Sequence, residues 1–274
     1  MKISIGGYSF FNTFLEGKMD VFGYLETVKY RYRMDAVDLW NGFFIDRSDP
    51  VYKLADESYI RKIREALDEK EMRVVNFAVD GAHLWDPDPD IRQKLYENAL
   101  VHLDAAEILG AETVRIDTGG SYQESEPMSD EQFEYTVKRY QEYADRAAER
   151  GYLIGPENHM GASLLPREMK RIAEEVDHPA FGFLLHLGRW KADETAGDEM
   201  VAPWAVHTHF DARTVLLPDA EDKVRSLLAG GYRGYWGVEY NAPGNQYVEM
   251  EWMIGAVKRI VSLASRVDEV RCKP

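Results

Sequence analysis

Apolar and polar positions along this chain follow two rhythms. Short, nearly continuous apolar runs occupy residues 2–5, 36–40, 72–79, 113–116, 151–157, 181–186, 204–210 and 235–239. Runs of that kind suit strands buried on both faces, as in a parallel sheet. Between them lie longer stretches, residues 20–30, 57–70, 90–109, 130–150, 166–176, 220–229 and 248–267, where apolar positions return with a helical period. Ile60, Ile63, Ala66 and Leu67 form one such face, and Gly110 follows Leu109 as a helix stop should. The sixth unit is the weakest, because residues 191–200 are too short and acidic to match the other helices. Strands alternating with helices at intervals of roughly 25–40 residues predict a (β/α)₈ TIM barrel. No composition shift or Gly/Ser-rich linker divides the chain, so residues 1–274 read as one domain.

Composition narrows the partners. The chain is 45% apolar and 30% charged, with a net charge of −15. That charge repels phosphate backbones and anionic membrane surfaces, so neither nucleic acid nor membrane is expected as a partner. A single cysteine, Cys272, excludes an internal disulfide and suits a reducing cytoplasm. The first residues lack the pattern of a signal peptide, and no run approaches transmembrane length. The expectation is a cytoplasmic protein acting on a small molecule, its oligomeric state left open with a homo-oligomer among the options.

Candidate chemistry sits at the strand ends. In order they carry Asp38 and Trp40, Asp80 with His83, Asp117, Glu157 with His159, His186, His209 and Glu239. In a barrel these ends converge on one cavity. Any one of them is as easily a solvated turn or a satisfied core histidine; their recurrence at successive strand ends argues for a site. Glu157, His186, His209 and Glu239 make a two-carboxylate, two-imidazole set, which suits Mn²⁺, Zn²⁺, Co²⁺ or Fe²⁺ better than Mg²⁺ or Ca²⁺. Such a cation would hold vicinal oxygens of a sugar or hydroxy-ketone, and carboxylates on opposite sides could pass a proton across it. Trp40, His83, Trp85 and Trp190 are candidates for an aromatic wall against a sugar ring, with ordinary barrel packing as the alternative. Asp117 and His159 are further candidate substrate contacts. Arg115 is read as an interior partner of Asp117 or a substrate clamp, and Arg213 as a holder of an anionic group or a solvent-facing loop residue. No phosphate-cradling glycine loop, Cys-x-x-Cys or serine nucleophile elbow competes.

Four segments carry a family likeness: Pro-Glu-Asn-His at 156–159, Gly-Phe-Leu-Leu-His-Leu-Gly at 182–188, Val-His-Thr-His-Phe-Asp at 206–211 and Gly-Val-Glu-Tyr at 237–240. With them the chain resembles the xylose isomerase-like sugar phosphate isomerase/epimerase superfamily, which also includes endonuclease IV-type repair enzymes. The resemblance implies a divalent metal bound through Glu, Asp, His and Glu. Glu157, His209 and Glu239 match three of these, while His186 stands at the Asp position. It also implies that Glu157 and Glu239 are the acid/base pair, and Arg189 stands where the family has a histidine. The repair enzymes need a denser set of His and Asp ligands than this chain offers.

Three classes of function remain. The leading one is a metal-dependent isomerase or epimerase of a keto-sugar, working by proton abstraction next to a carbonyl through an enediolate. The second is a lyase on the same site, a dehydratase of inosose or dehydroshikimate type or an enzyme cleaving 3-oxo-glycosides. The third is a non-catalytic sugar-binding barrel.

Overall fold

The computed structural model describes residues 1–48, 51–123, 125–192 and 196–271; Cys272 and the acidic pair Asp193-Glu194 lie outside them. Eight parallel strands form the centre: β1 (Ile3–Gly6), β2 (Ala36–Trp40), β3 (Arg73–Val79), β4 (Thr113–Ile116), β5 (Leu153–Gly155), β6 (Phe183–His186), β7 (Ala205–Phe210) and β8 (Trp236–Val238). Each pairs with its neighbour in sequence except β5 with β6, and β1 also pairs with β8, Ile3 opposite Trp236. The seam between β5 and β6 is held by isolated bridges, Ile154 to Phe181 and Glu157 to Leu184, so the ring is a nearly closed TIM barrel. Two glycines permit that seam: a Cβ on Gly155 would lie 1.9 Å from the Gly182 carbonyl oxygen. The backbones approach there more closely than any side chain allows.

Helices cover the ring because their caps and apolar faces direct them to it. Asp56, Asp88 and Ser129 accept backbone N–H bonds at the starts of α2 (Glu57–Glu69), α3 (Pro89–Leu109) and α4 (Asp130–Arg150), which follow the short α1 (Val21–Glu26). α5 (Pro166–Val176) buries Met169, Ile172 and Val176, each worth about 1.5–3 kcal/mol when fully removed from water. The sixth unit has only α6 (Gly197–Val201), in keeping with its weak sequence signal. α7 (Ala220–Ala229) and α8 (Gln246–Arg271) complete the layer. Among the described residues no helix is long and apolar enough to cross a membrane.

β5 stops at Gly155, two residues short of Glu157, because Pro156 supplies no N–H to extend the ladder. Glu157 still faces inward, held by its bridge to Leu184 and by its backbone N–H, which donates to Asp117 Oδ1 at 3.2 Å.

Candidate active site at the barrel mouth

The strand ends open into a cavity of about 630 Å³. Tyr8, Trp40, Asp80, Arg115, Tyr122, Glu157, His159, Arg189, Trp190, His209, Arg213 and Glu239 are among its lining residues.

His209 is the pivot. Its Nε2 lies 2.6 Å from Asp38 Oδ2, and His207 Nε2 reaches the same oxygen at 2.6 Å. A carboxylate only accepts, so both nitrogens carry the proton, which leaves Nδ1 of His209 to face the cavity. That Nδ1 is buried and makes no hydrogen bond, although Glu239 Oε2 is 2.9 Å away and Glu157 Oε1 3.6 Å. An imidazole with one nitrogen on a carboxylate and the other bare between two more is arranged as metal-ligating histidines are. His186 Nδ1 approaches the same Glu157 Oε1 at 3.2 Å. One donor atom from each of Glu157, His186 and His209 lies within 4.8 Å of the others, so these residues can hold a cation. Glu239 adjoins them through His209. The fit is tempered by Arg189, whose Nη1 donates to Glu157 Oε1 at 3.0 Å and whose Nη2 lies 3.2 Å from His186 Nε2.

Electrostatics keeps the carboxylates ionised. Burial alone would raise the Glu157 carboxyl, but the charges of His159 and Arg189 and the hydrogen bond from His186 outweigh it and hold it well below the usual carboxylate range. Burial would likewise raise Glu239, and His209 lowers it. Burial would discharge His209, yet Asp38 and Glu239 push its affinity for a proton well up, so a cation bound among these carboxylates would compete with a proton for Nδ1.

A second cluster lies on the β4 side of Glu157. Arg115 Nη1 meets Asp80 and Asp117, each at 2.9 Å, and its Nε lies 3.5 Å from Glu157 Oε2. Asp117 also faces His159 Nδ1 at 2.7 Å, and His159 Nε2 meets the Tyr122 hydroxyl at 2.9 Å.

The structure thus brings Glu157, His159, His209 and Glu239 to line one cavity, while His186 and Asp117 are not among the lining residues and lie behind it, His186 against Glu157 at 3.2 Å and Asp117 against His159 at 2.7 Å. Trp40 lines it with its indole N–H on Asp80 at 2.7 Å, and Trp190 with its own on Asp198 at 2.7 Å. Arg213 reaches the rim, largely exposed and paired with Asp211 at 3.1 Å. His83 is not among the lining residues: the backbone N–H groups of Leu84 and Trp85 donate to Asp117 and Thr118, which turns the loop and packs His83 near Gly119. Trp85 packs edge-on against Tyr135 and lies under the guanidinium of Arg92. Tyr8, Tyr122 and the return of Arg189 to Glu157 had no signal in residue type or spacing, since loop geometry alone brings them in.

This chain belongs to the xylose isomerase-like TIM barrel family, which matches it over residues 34–255. Among similar solved structures is an L-ribulose 3-epimerase, 14% identical over 100% of this chain and 99% of that one, TM-score 0.75. The probable 3-DHS dehydratase AsbF from Bacillus anthracis is 15% identical over 92% and 98%, TM-score 0.64. A xylose isomerase-like TIM barrel protein from Mycobacterium smegmatis, in complex with magnesium, is 16% identical over 95% and 97%, TM-score 0.69. At such identities the likeness is one of fold. Comparison with curated proteins yields no match.

Proposed function

We propose that this protein is an enzyme that removes a proton from a carbon next to a carbonyl, in a keto-sugar or related polyol ketone. One observation carries the reading: two strand-end carboxylates, Glu157 and Glu239, flank the bare Nδ1 of His209 at 3.6 and 2.9 Å at the floor of a single cavity. Both are held ionised, the form that accepts a proton. Coming from β5 and β8, they reach a substrate from different sides, as proton removal and return on opposite faces requires. Arg189, 3.0 Å from Glu157, holds a positive charge where an oxyanion develops. Trp40, Tyr8 and Trp190 offer apolar faces to the C–H side of a sugar ring.

Glu157, His186, His209 and Glu239 would hold a divalent cation. Their mixed oxygen and nitrogen set favours Mn²⁺, with Zn²⁺, Co²⁺ or Fe²⁺ as alternatives. A cation bound there supplies positive charge for the developing enediolate oxygens. The leading product class is an isomer or epimer; the family's spread over epimerases and a dehydratase leaves a lyase as the second.

The test is exchange of a carbon-bound proton in D₂O. The protein loaded with Mn²⁺ or Zn²⁺ is incubated with a panel of ketoses, inososes and 3-oxo-glucosides and followed by NMR, alongside elemental analysis. Exchange of the proton next to the carbonyl, with about one metal ion per chain, is expected. Binding of a sugar without any exchange would instead make this a non-catalytic sugar-binding barrel, and absence of metal uptake would remove the cation from the reading.

A further inference from the structure

Asp198 lies in the acidic stretch that gives the sixth unit its weak helix, and it takes no part in the chemistry above. Its carboxylate is buried and does not line the cavity. Both oxygens accept the backbone N–H of Gly188, each at 3.1 Å, and Oδ1 also accepts the indole N–H of Trp190 at 2.7 Å. Lys223 on α7, itself buried, brings its Nζ to 3.0 Å from Oδ2. A carboxylate can be held out of water where it is paired and hydrogen-bonded, and this one is both. The indole is fixed on a second side. A Cβ on Gly197, the residue before Asp198, would lie 2.7 Å from Trp190 Cδ1, so the ring rests on the start of α6.

The two residues that Asp198 grips, Gly188 and Trp190, flank Arg189. Gly188 has φ of +73°, a left-handed turn that a side chain would strain, and its N–H meets Asp198 from that turn. Asn158 Nδ2 donates to the Arg189 carbonyl oxygen at 3.0 Å, and the Lys191 N–H to the Leu164 carbonyl oxygen at 3.0 Å. The backbone of Arg189 is therefore held at its carbonyl and through both neighbours. Its side chain reaches from that fixed base to Glu157 Oε1 at 3.0 Å. Asp198 is the ionised anchor of this loop, and Lys223 carries its charge balance from a different helix.

We propose that Asp198, with Lys223 as its counter-ion, is a positioning residue: its carboxylate clamps Gly188 and Trp190 so that Arg189 meets Glu157 and the Trp190 ring stands in the cavity wall. Its effect on rate rests on the proton-abstraction reading above, whereas the placement of Arg189 is measurable without any substrate. A guanidinium stabilises a developing oxyanion only where it is set in place beforehand. A displacement of ~1 Å, caused from outside the site, can cost ~10²-fold in rate. If the Asp198–Lys223 pair did no more than pack α6 against α7, its loss would lower stability and leave Arg189 where it is.

Phenylglyoxal labels accessible guanidinium groups, and mass spectrometry of the digested protein reads each arginine separately. Two variants are compared with wild type: Asp198→Asn, and Asp198→Leu combined with Lys223→Met, which removes the clamp without leaving a buried lysine unpaired. In the double variant Arg189 should label at least about tenfold faster, as a locally opened group does, and in Asp198→Asn by a smaller factor. Buried Arg115 reports general loosening and exposed Arg213 reports reagent activity, and both should stay within about twofold. With the panel ketone that exchanges its α-proton, Asp198→Asn should lower kcat by about 10–100-fold. In an Arg189→Gln background the same change should cost less than about threefold more, because the clamp acts through Arg189. Unchanged labelling of Arg189, labelling that rises equally at Arg115, or additive losses of rate would each overturn the positioning role. Absence of α-proton exchange with every ketone overturns the proton-abstraction reading, and the labelling then decides the placement of Arg189 by itself.

Discussion

The two halves of the strand ring treat their acidic ends differently. In the first half the carboxylates are closed in by donors. Asp38 accepts from Asn76 at 2.7 Å and from two histidines at 2.6 Å; Asp80 from Trp40 at 2.7 Å and Arg115 at 2.9 Å; Asp117 from Arg115 and His159. In the second half Glu157 and Glu239 converge on a nitrogen, His209 Nδ1, that makes no hydrogen bond. Buried polar groups that satisfy one another hold a structure in place, and a buried acceptor left without a donor marks where something else belongs. The first half is a scaffold of charges, and the second is where chemistry is expected.

The largest effect should come from the open half. Glu157→Gln and Glu239→Gln each keep an oxygen but lose the base, and each should lose at least ~100-fold in kcat with the barrel still folded. Wild-type rates in both, at unchanged thermal stability, would sink the assignment.

The halves meet at Asp38, which belongs to the closed half but aims His209 into the open one. Asp38→Asn should weaken cation binding by about 10–100-fold, as loss of an outer partner of a ligating histidine does. Calorimetric titration with Mn²⁺ and Zn²⁺ measures it. His186→Ala should weaken the same binding, and His186→Asp should keep it and shift preference toward harder cations. Unchanged affinity in Asp38→Asn would mean that His209 needs no such aiming.

The smallest effect concerns buried His102, whose Nδ1 meets the Asn98 carbonyl oxygen at 2.8 Å and whose Nε2 meets Asn41 Nδ2 at 3.1 Å. Burial pushes the His102 imidazole down to about 4, below the ordinary value near 6.5. As pH falls below about 6.5 the unfolded chain takes a proton that the folded one refuses, so stability is lost through that window down to about 4. Between pH 7 and pH 5.5 the loss is about 1 kcal/mol. Denaturant unfolding of wild type and His102→Gln should show a flatter pH dependence in the variant; parallel curves would place the acid sensitivity elsewhere.

Much of this was readable from residue order. The apolar runs locate the eight strands to within about two residues at each end, and the ends carry Glu157, His186, His209 and Glu239 whatever the loops do. Aromatic candidates divided unevenly: Trp40 ends β2 and Trp190 follows β6 by four residues, and both line the cavity, while His83, the same distance past β3, and Trp85 lie in a loop whose hydrogen bonds turn them away.

What the sequence determined by itself is local: which stretches are strands, which face of each helix is apolar, and which strand ends in a carboxylate or imidazole. These follow from side-chain periodicity and cap chemistry, which act within a few residues. Tertiary structure decided the partners. Asp38 shares one oxygen with His207 and His209, 169 and 171 positions away, and Arg189 folds back onto Glu157 across 32. Those pairings depend on the curvature of the closed ring and the path of its loops, which set distances to an ångström that no pattern along the chain encodes.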